Sequence, residues 1–219
     1  MDNDYDDLFH IDIMCHGGPS SELFKKYIVW LENKYKKRIK EYLFRDKKFG
    51  RRTIAKITFE DNESINVFPS EDPYLCSFYA GRTYRQSCYK CKYAVRKRVG
   101  DITIGDFWGA EEFYKSIDAS KGLSAVIVNT KKGKKLLSTI ENEVVIFSTT
   151  VDMIAKNNSV LDRPTEKNKY REKIYRGVEK FSFNTVANRY MYGEPLWWIK
   201  LKVYVLSPIK QFLKRVISK

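Results

Sequence analysis

Hydrophobic positions in the N-terminal part of the chain change from a strand-like to a helix-like spacing. Leu8–Met14 is an apolar run that predicts a buried strand, and residues 22–35 carry apolar side chains at helical spacing. Ser20 or Ser21 is a suitable N-cap, which would turn backbone N–H groups toward the intervening turn. Three later segments have the composition of strands and predict a small meander: residues 39–45, 53–59 and 64–68.

Segments with helix-like and strand-like spacing continue through the middle of the chain, and a polar segment follows them. Two helices and two strands are predicted there: helices at residues 72–85 and 133–140, and strands at residues 101–105 and 124–129. Residues 157–163 indicate a polar linker that ends at Pro164, beyond which the chain becomes helical and basic. These elements predict a mixed α/β (α+β) fold, with a central mixed sheet flanked by helices. We expect a domain of residues 1–163 and a helical extension of residues 164–219.

The C-terminal tail, residues 196–219, combines aromatic, apolar and basic positions. Trp197 and Trp198 precede Pro208, and the residues after this proline place apolar side chains between lysines. The pattern is typical of a basic amphipathic helix, and its length and lysines exclude a membrane span. Peripheral contact with the inner face of a membrane and packing against the chain's own domain are both compatible with it.

Charge and composition restrict the class of protein more than its function. The 219 residues are 43% hydrophobic and 15% aromatic, which is enough to bury a core and excludes a fully disordered chain. A formal net charge of +14 attracts phosphates, anionic lipid or nucleic acid. The acidic start and the short apolar run after it indicate neither a signal peptide nor a membrane span, and we therefore expect a cytoplasmic protein.

The four cysteines give the sharpest indication of chemistry. Cys88 and Cys91 form a Cys-x-x-Cys pair among lysines and arginines, whose positive charge favours thiolates and an anionic cluster. In a reducing cytoplasm such a pair is more often a metal or redox site than a disulfide. Zinc is the alternative metal, but a zinc site needs further ligands, and His10 and His16 are the only histidines.

Two further cysteines and one aromatic corner have less specific patterns. Cys15 lies at a strand-to-helix turn, where backbone amides can hydrogen-bond a cluster sulfur or a flavin phosphate. Cys76 lies in an aromatic helical stretch and is better explained as a core thiol, with a reserve role as a ligand. Asp106, Phe107 and Trp108 end a strand and can line a planar cofactor, whereas periodicity alone favours core packing.

Five motifs occur in one order along the chain. They are Asp12-Ile-Met-Cys15-His-Gly-Gly-Pro-Ser20, Phe44-Arg-Asp-Lys47, Arg85-Gln-Ser-Cys88-Tyr-Lys-Cys91, Asp101-Ile-Thr-Ile-Gly-Asp-Phe-Trp-Gly109 and Lys121-Gly-Leu-Ser124. The ordered set resembles the C-terminal domain of the coenzyme F(420) hydrogenase/dehydrogenase beta-subunit family, whose coenzyme is a deazaflavin. Hydroxymethyl-chlorophyll reductases and bacterial polysaccharide-locus homologues are similar in the same way. The resemblance covers most of the chain up to the region of residues 157–171.

This resemblance implies an iron-sulfur flavoprotein oxidoreductase domain that passes electrons between a 4Fe-4S cluster and FAD. The cluster ligands that it implies are Cys15, Cys88 and Cys91. The flavin-side residues that it implies are His16, Gly17 and Ser20 in the turn, with Asp106, Phe107 and Trp108 at the strand end. It implies no particular catalytic residue.

Three cysteines do not close a cubane cluster. Full-length relatives begin with a ferredoxin-like cysteine cluster and a Gly-Thr-Pro-Cys segment, and neither occurs in this sequence. The fourth ligand is expected from Cys76 or from a separate N-terminal, ferredoxin-like and flavin-binding polypeptide, unless the chain is a truncated remnant. Two other classes stay open: a non-catalytic accessory protein of surface-polysaccharide biosynthesis, and a zinc-stapled nucleic-acid-binding module. Nucleic acid is not the partner that we expect.

Overall fold

The computed structural model describes residues 7–50, 53–115 and 117–193, together with residues 198, 201, 205, 206 and 208. The strands in this part of the chain are β1 Ile11–Ile13, β2 Ile39–Leu43, β3 Ala55–Phe59, β4 Ser64–Val67, β5 Ile102–Asp106 and β6 Ser124–Val128. The α-helices are α1 Ser21–Tyr35, α2 Pro73–Tyr79, α3 Lys131–Ser138, α4 Val151–Ala155, α5 Arg171–Lys180 and α6 Phe183–Val186. The predicted mixed α/β class is confirmed.

Contacts divide the chain into two compact units, each made of two stretches of sequence. The first unit contains Met1–Gly17 and Gln86–Thr165, and the second unit contains Gly18–Arg85 and Glu166–Lys219. Each unit has its own small sheet, where the sequence predicted a single central one. The predicted domain boundary between residues 163 and 164 stays a prediction.

The first unit is built on a three-stranded sheet in the order β1-β5-β6. β1 pairs with β5 in parallel, and β6 pairs with β5 in the antiparallel direction, so this sheet is mixed. Its core combines residues after β5, in β6 and in α4 with one from the turn that follows α4: Phe107, Ala110, Ala125, Ile154, Ala155 and Leu161. Residues 157–163 are therefore not a solvated linker, because Leu161 is part of this core.

β1 is an edge strand, and the prediction of a buried strand at residues 8–14 is wrong in this respect. Ile11 is 55% exposed and Ile13 is 58% exposed, since within the described residues β1 pairs on one side only, with β5. The Met14 N–H donates to the Ile104 carbonyl at 2.9 Å, which continues the parallel pairing to the residue before Cys15. The position of Cys15 is thus fixed by backbone hydrogen bonds to β5.

The second unit is built on the antiparallel meander β2-β3-β4, which confirms that prediction. α1 begins after Ser20, whose hydroxyl accepts a hydrogen bond from the Leu23 N–H at 3.2 Å and so acts as the N-cap. α1 buries Leu23, Tyr27 and Leu31 at the helical spacing seen in the sequence. These side chains pack with residues of β3, α5 and α6 in one core.

A buried carboxylate connects α1 and α2 in this unit. Asp72 caps α2 by accepting a hydrogen bond from the Leu75 N–H at 2.8 Å, and the Tyr27 hydroxyl donates to its other oxygen at 2.6 Å. The Tyr42 hydroxyl lies 3.3 Å from that of Tyr27. Burial raises the pKa of Asp72 to about 6, although the hydrogen bonds from Tyr27 and Leu75 oppose the shift. The charged form of Asp72 is therefore costly in the folded chain.

Helix α2 is shorter than predicted, and the predicted tail lies largely outside the described residues. α2 ends at Tyr79 instead of continuing to residue 85, and Gly81 follows with φ 64, a conformation that favours glycine. Most of the predicted amphipathic tail, including Trp197, lies outside the described residues. No helix in the described part is long and apolar enough to cross a membrane.

Candidate functional site

The carboxyl ends of β1 and β5 bring two of the predicted motifs together. β1 leads into Cys15 and His16. β5 ends at Asp106, and Phe107 and Trp108 follow it. Parallel neighbouring strands end at the same edge of a sheet, which is where open α/β sheets commonly bind ligands. The topology therefore explains why residues so distant in sequence share one place.

His16 and Trp108 are the aromatic centre of this edge. Their ring centroids lie 4.5 Å apart with an interplanar angle of 22°, so the rings stack. Trp108 is 46% exposed, and its indole N–H donates to the Asp106 carboxylate at 3.4 Å. The Asn158 side-chain N–H donates to the Asp106 carbonyl at 3.0 Å. Burial lowers the pKa of His16, and the interactions with the Asn158 side chain and with the Asp106 charge oppose this shift.

A buried ion pair fastens the loop after the Cys-x-x-Cys motif to β1. The Arg98 side chain is only 5% exposed and donates to the Asp12 carboxylate at 3.0 Å. It also donates to the backbone carbonyls of Ile13 at 2.9 Å and Tyr93 at 2.6 Å. Burial raises the pKa of Asp12, but the hydrogen bonds to its carboxylate outweigh this and hold that pKa below its ordinary value. Arg98 thus holds the loop against the strand that leads to Cys15.

Cys15 and Cys91 line one cavity of about 550 Å³. The other walls come from β1, from the loop of residues 93–99 and from Val160. Asp12 and Arg98 also line the cavity, so a buried ion pair lies beside the two cysteines. Cys15 is exposed and Cys91 is half-buried, which leaves both accessible.

The described residues do not complete a metal site at this cavity. No three histidine, cysteine, aspartate or glutamate side chains among them lie together in a way that could hold a metal ion. Cys88 is half-buried in the turn Gln86–Lys90 and is not among the residues that line the cavity. A 4Fe-4S cluster needs four thiolate ligands. The residues present therefore fit part of a cluster site, and they do not fit a closed one.

A family model that describes the C terminus of the coenzyme F420 hydrogenase/dehydrogenase beta subunit matches residues 2–153. The chain belongs to this family. The resemblance inferred from the five ordered motifs is therefore confirmed. No curated protein matches the chain.

Membership in the hydrogenase/dehydrogenase beta-subunit family relates the chain to an oxidoreductase subunit. A C-terminal domain of a beta subunit implies other subunits or domains as partners. The matched residues include the cysteine cavity up to Val99 and the stacked pair of His16 and Trp108. Asn158 and Val160 lie just beyond the match, although they belong to the same compact unit.

Three residues expected on the flavin side of this family's domain have other surroundings or another role. Ser20 lies in the second unit, where it caps α1. Phe107 is buried and packs edge-on against Tyr114 in the core of the first unit. Gly17 has φ 139, a conformation that favours glycine, and so shapes the turn after His16. His16, Asp106 and Trp108 are the members of the predicted set that meet.

Cys76 has the surroundings of a core thiol. It packs against the hydrophobic core of the second unit, and its thiol donates to the Tyr192 carbonyl at 3.5 Å. Arg82 approaches its sulfur at 3.9 Å. These contacts agree with the prediction from the sequence that Cys76 is a core thiol. In this hydrogenase/dehydrogenase family member, Cys76 is therefore a structural cysteine with which variants of the other three cysteines can be compared.

Sequence reasoning missed two residues that organise the site. Arg98 lies in a run of basic residues that is typical of a solvated surface, and nothing in the run distinguishes the one buried arginine. Asn158 lies in the segment predicted as a polar linker, yet it is buried and bonds to Asp106. The apolar Val160 and Leu161, two and three positions after Asn158, are a sequence signal that could have indicated its burial.

Proposed function

We propose that the chain is the C-terminal domain of an iron-sulfur flavoprotein subunit that takes part in electron transfer between a 4Fe-4S cluster and FAD. The proposed cluster ligands are Cys15, Cys88 and Cys91. The proposed flavin-side residues are His16, Asp106 and Trp108. When bound, the cluster exchanges single electrons and the flavin accepts or donates hydride, while the protein binds and orients both groups.

The observation that carries this proposal is the cavity that Cys15 and Cys91 share. The two cysteines come from different elements, and both line an accessible cavity beside the buried ion pair of Asp12 and Arg98. Accessible cysteines are typical of redox and metal sites, whereas structural cysteines are buried and inert. The family supports a redox role for the same domain.

The chain's own residues have separate roles in the proposal. Arg98 positions the loop after the Cys-x-x-Cys motif against the strand that leads to Cys15. Trp108 and His16 present an aromatic stack at the strand ends, a surface that suits a planar ring. Asp106 and Asn158 hold that stack in place.

A separate N-terminal, ferredoxin-like and flavin-binding polypeptide is the proposed source of the missing ligand. Beta-subunit membership implies other subunits or domains as partners. The cavity is bordered by apolar side chains that are all exposed: Ile11, Ile13, Tyr93 and Val99. Clustered exposed apolar surface of this kind is typical of protein interfaces. A polypeptide that covers it would reach Cys15 and Cys91.

Anaerobic reconstitution tests the ligand assignment. The chain is produced alone and with a ferredoxin-like polypeptide of the kind proposed, supplied with iron and sulfide, and measured for iron, zinc, flavin and visible absorption. We expect a brown protein with thiolate-to-iron absorption. Cys91→Ser is expected to lose most of the bound iron, because a cluster of this type is held by thiolates.

Cys76→Ser is the matched control, because Cys76 lies in the core of the second unit. It is expected to keep its iron. Equal iron in the two variants would contradict the ligand assignment. Zinc without iron or flavin would favour the zinc-stapled module instead. A colourless, folded protein that binds none of these groups would overturn the proposed function.

A further inference from the structure

The two compact units differ strongly in charge. The second unit holds 28 lysine and arginine residues against 13 aspartate and glutamate residues, so its formal net charge is +15. The first unit holds 13 basic residues against 14 acidic ones and is nearly neutral. The candidate redox site lies in the first unit, so the positive charge of the chain belongs to the other one. A unit of this charge attracts anionic partners.

An open groove of about 460 Å³ lies on the second unit, between α1 and the segment that joins α5 to α6. Trp30, Val178 and Phe183 line it, and all three also pack against the core of this unit. The ring centroids of Trp30 and Phe183 lie 5.3 Å apart. Val29, which also lines the groove, is 56% exposed, and Phe181, two residues before Phe183, is 58% exposed. The groove is therefore apolar and accessible.

Lysines of α1 border this apolar lining. Lys25 and Lys26 line the groove. The ammonium group of Lys26 donates to the Val178 carbonyl at 2.9 Å, a neutral partner that leaves its charge uncompensated. Lys25 pairs with Glu22 at 3.0 Å, but both side chains are exposed, and such a pair is weak. Lys36, at the C-terminal end of α1, lines an adjoining groove that shares two residues with the first.

Apolar side chains bordered by lysines favour a lipid surface over other anions. A nucleic-acid backbone presents phosphates and sugars, which give exposed Val29 and Phe181 no apolar surface to bind. A bilayer presents anionic headgroups above hydrocarbon, so lysines can stay with the headgroups while apolar side chains enter the interface. The sequence of residues 196–219, in the same unit, has the same combination of aromatic, apolar and basic residues.

We propose that the groove between α1, α5 and α6 is a docking face for an anionic lipid bilayer. Lys25, Lys26 and Lys36 bind the headgroups, and Val29 and Phe181 enter the boundary between headgroups and acyl chains. This inference goes beyond the redox function and does not depend on the cluster or the flavin. It gives the positive charge of the second unit a partner.

Flotation of the full chain with lipid vesicles tests the docking face. Vesicles of phosphatidylcholine alone are compared with vesicles that also contain anionic phosphatidylglycerol, at low and at high salt. We expect the chain to float with the anionic vesicles only and to be released by high salt, because salt screens exposed charges. No flotation with anionic vesicles at low salt would overturn the proposal.

A double lysine variant locates the charge that is used. Lys25→Gln with Lys26→Gln is expected to weaken binding to anionic vesicles about 25-fold, since each lysine near such a surface contributes roughly fivefold. Lys134→Gln with Lys135→Gln removes the same charge from exposed positions of α3 in the first unit. We expect this control to bind like the unaltered chain. Equal loss in both double variants would overturn the proposal.

A valine variant separates insertion from simple attraction of charge. Val29→Asn is expected to weaken vesicle binding about fivefold, because its exposed apolar surface no longer enters the interface. Val145→Asn is the control, since Val145 is 83% exposed and lies in the first unit. Circular dichroism shows that each variant is folded. Unchanged binding of Val29→Asn would contradict the apolar contact and overturn the proposal.

Other partners of the same face give different results. Flotation that none of the groove variants weakens would assign the lipid contact to another part of the chain. Binding of a DNA duplex that is lost in Lys25→Gln with Lys26→Gln, without any flotation, would assign the face to nucleic acid. Either result would overturn the proposal. Weaker flotation of the groove variants alone, with both controls unchanged, supports it.

Discussion

Arg98→Met is expected to lower the free energy of unfolding by about 3 kcal/mol and to separate Cys15 from Cys91. Arg98 is nearly fully buried and pairs with Asp12, which is itself largely shielded. Methionine fills similar space but leaves the Asp12 carboxylate without its charge partner. It also removes both bonds to backbone carbonyls, one in β1 and one in the loop. Removing one partner of a buried ion pair destabilises the fold by more than the net contribution of the pair to stability, because the remaining charge is buried without a partner.

Two measurements follow the effect of Arg98→Met. Urea unfolding monitored by circular dichroism gives the change in stability. Cross-linking by dibromobimane, which becomes fluorescent when it joins two nearby thiols, reports the approach of Cys15 to Cys91 in a chain with Cys76 and Cys88 replaced by serine. Arg96→Met is the matched control, because Arg96 is exposed and its pairs with Asp152 and Asp162 are on the surface. Similar losses in both variants would contradict the role of Arg98.

Asp72→Asn is expected to remove a pH dependence of stability between about pH 4 and pH 6. In the folded chain the pKa of Asp72 is raised to about 6 by burial, while the unfolded value is about 4. The folded state therefore binds this proton more tightly. The resulting stabilisation is complete below pH 4 and is lost as the pH rises through 6. Two pKa units correspond to roughly 3 kcal/mol.

The test compares unfolding free energies of the unaltered chain and Asp72→Asn at several pH values from 4 to 7. We expect the unaltered chain to lose roughly 3 kcal/mol relative to Asp72→Asn across this range. Tyr27→Phe is the second variant, because it keeps the packed ring and removes the hydroxyl that donates to Asp72. Tyr27→Phe is expected to shift the pH-dependent loss of stability to higher pH, because the Asp72 carboxylate loses a hydrogen-bond donor. Parallel curves for the unaltered chain and Asp72→Asn would show that Asp72 does not titrate as the structure predicts.

Local structure was well predicted where a single segment contains its own determinants. α1 has an apolar face and a serine cap within one stretch of sequence, and both were found at their predicted places. The meander likewise needs only neighbouring strands and short turns. The burial of β1 could not be predicted, because exposure of Ile11 and Ile13 depends on which strands pair with it and not on its own composition.

The candidate site shows the same division between local and long-range information. The five ordered motifs identified the family, and they contain Cys15, His16, Asp106 and Trp108. Their meeting depends on the parallel pairing of β1 with β5, across a long separation in sequence. Arg98 and Asn158 also act through partners that are distant in sequence, Asp12 and Asp106. Composition cannot separate a buried arginine or asparagine from the exposed ones around it.

Electron paramagnetic resonance of the reconstituted protein tests the central claim most directly, namely that this domain holds a redox-active 4Fe-4S cluster through Cys15, Cys88 and Cys91. The sample is the chain with the proposed ferredoxin-like polypeptide, reconstituted anaerobically and reduced with dithionite. We predict the low-temperature signal of a reduced 4Fe-4S cluster, absent in Cys91→Ser and retained in Cys76→Ser. A folded, reduced sample without this signal, or with a signal that Cys91→Ser leaves unchanged, would contradict the account.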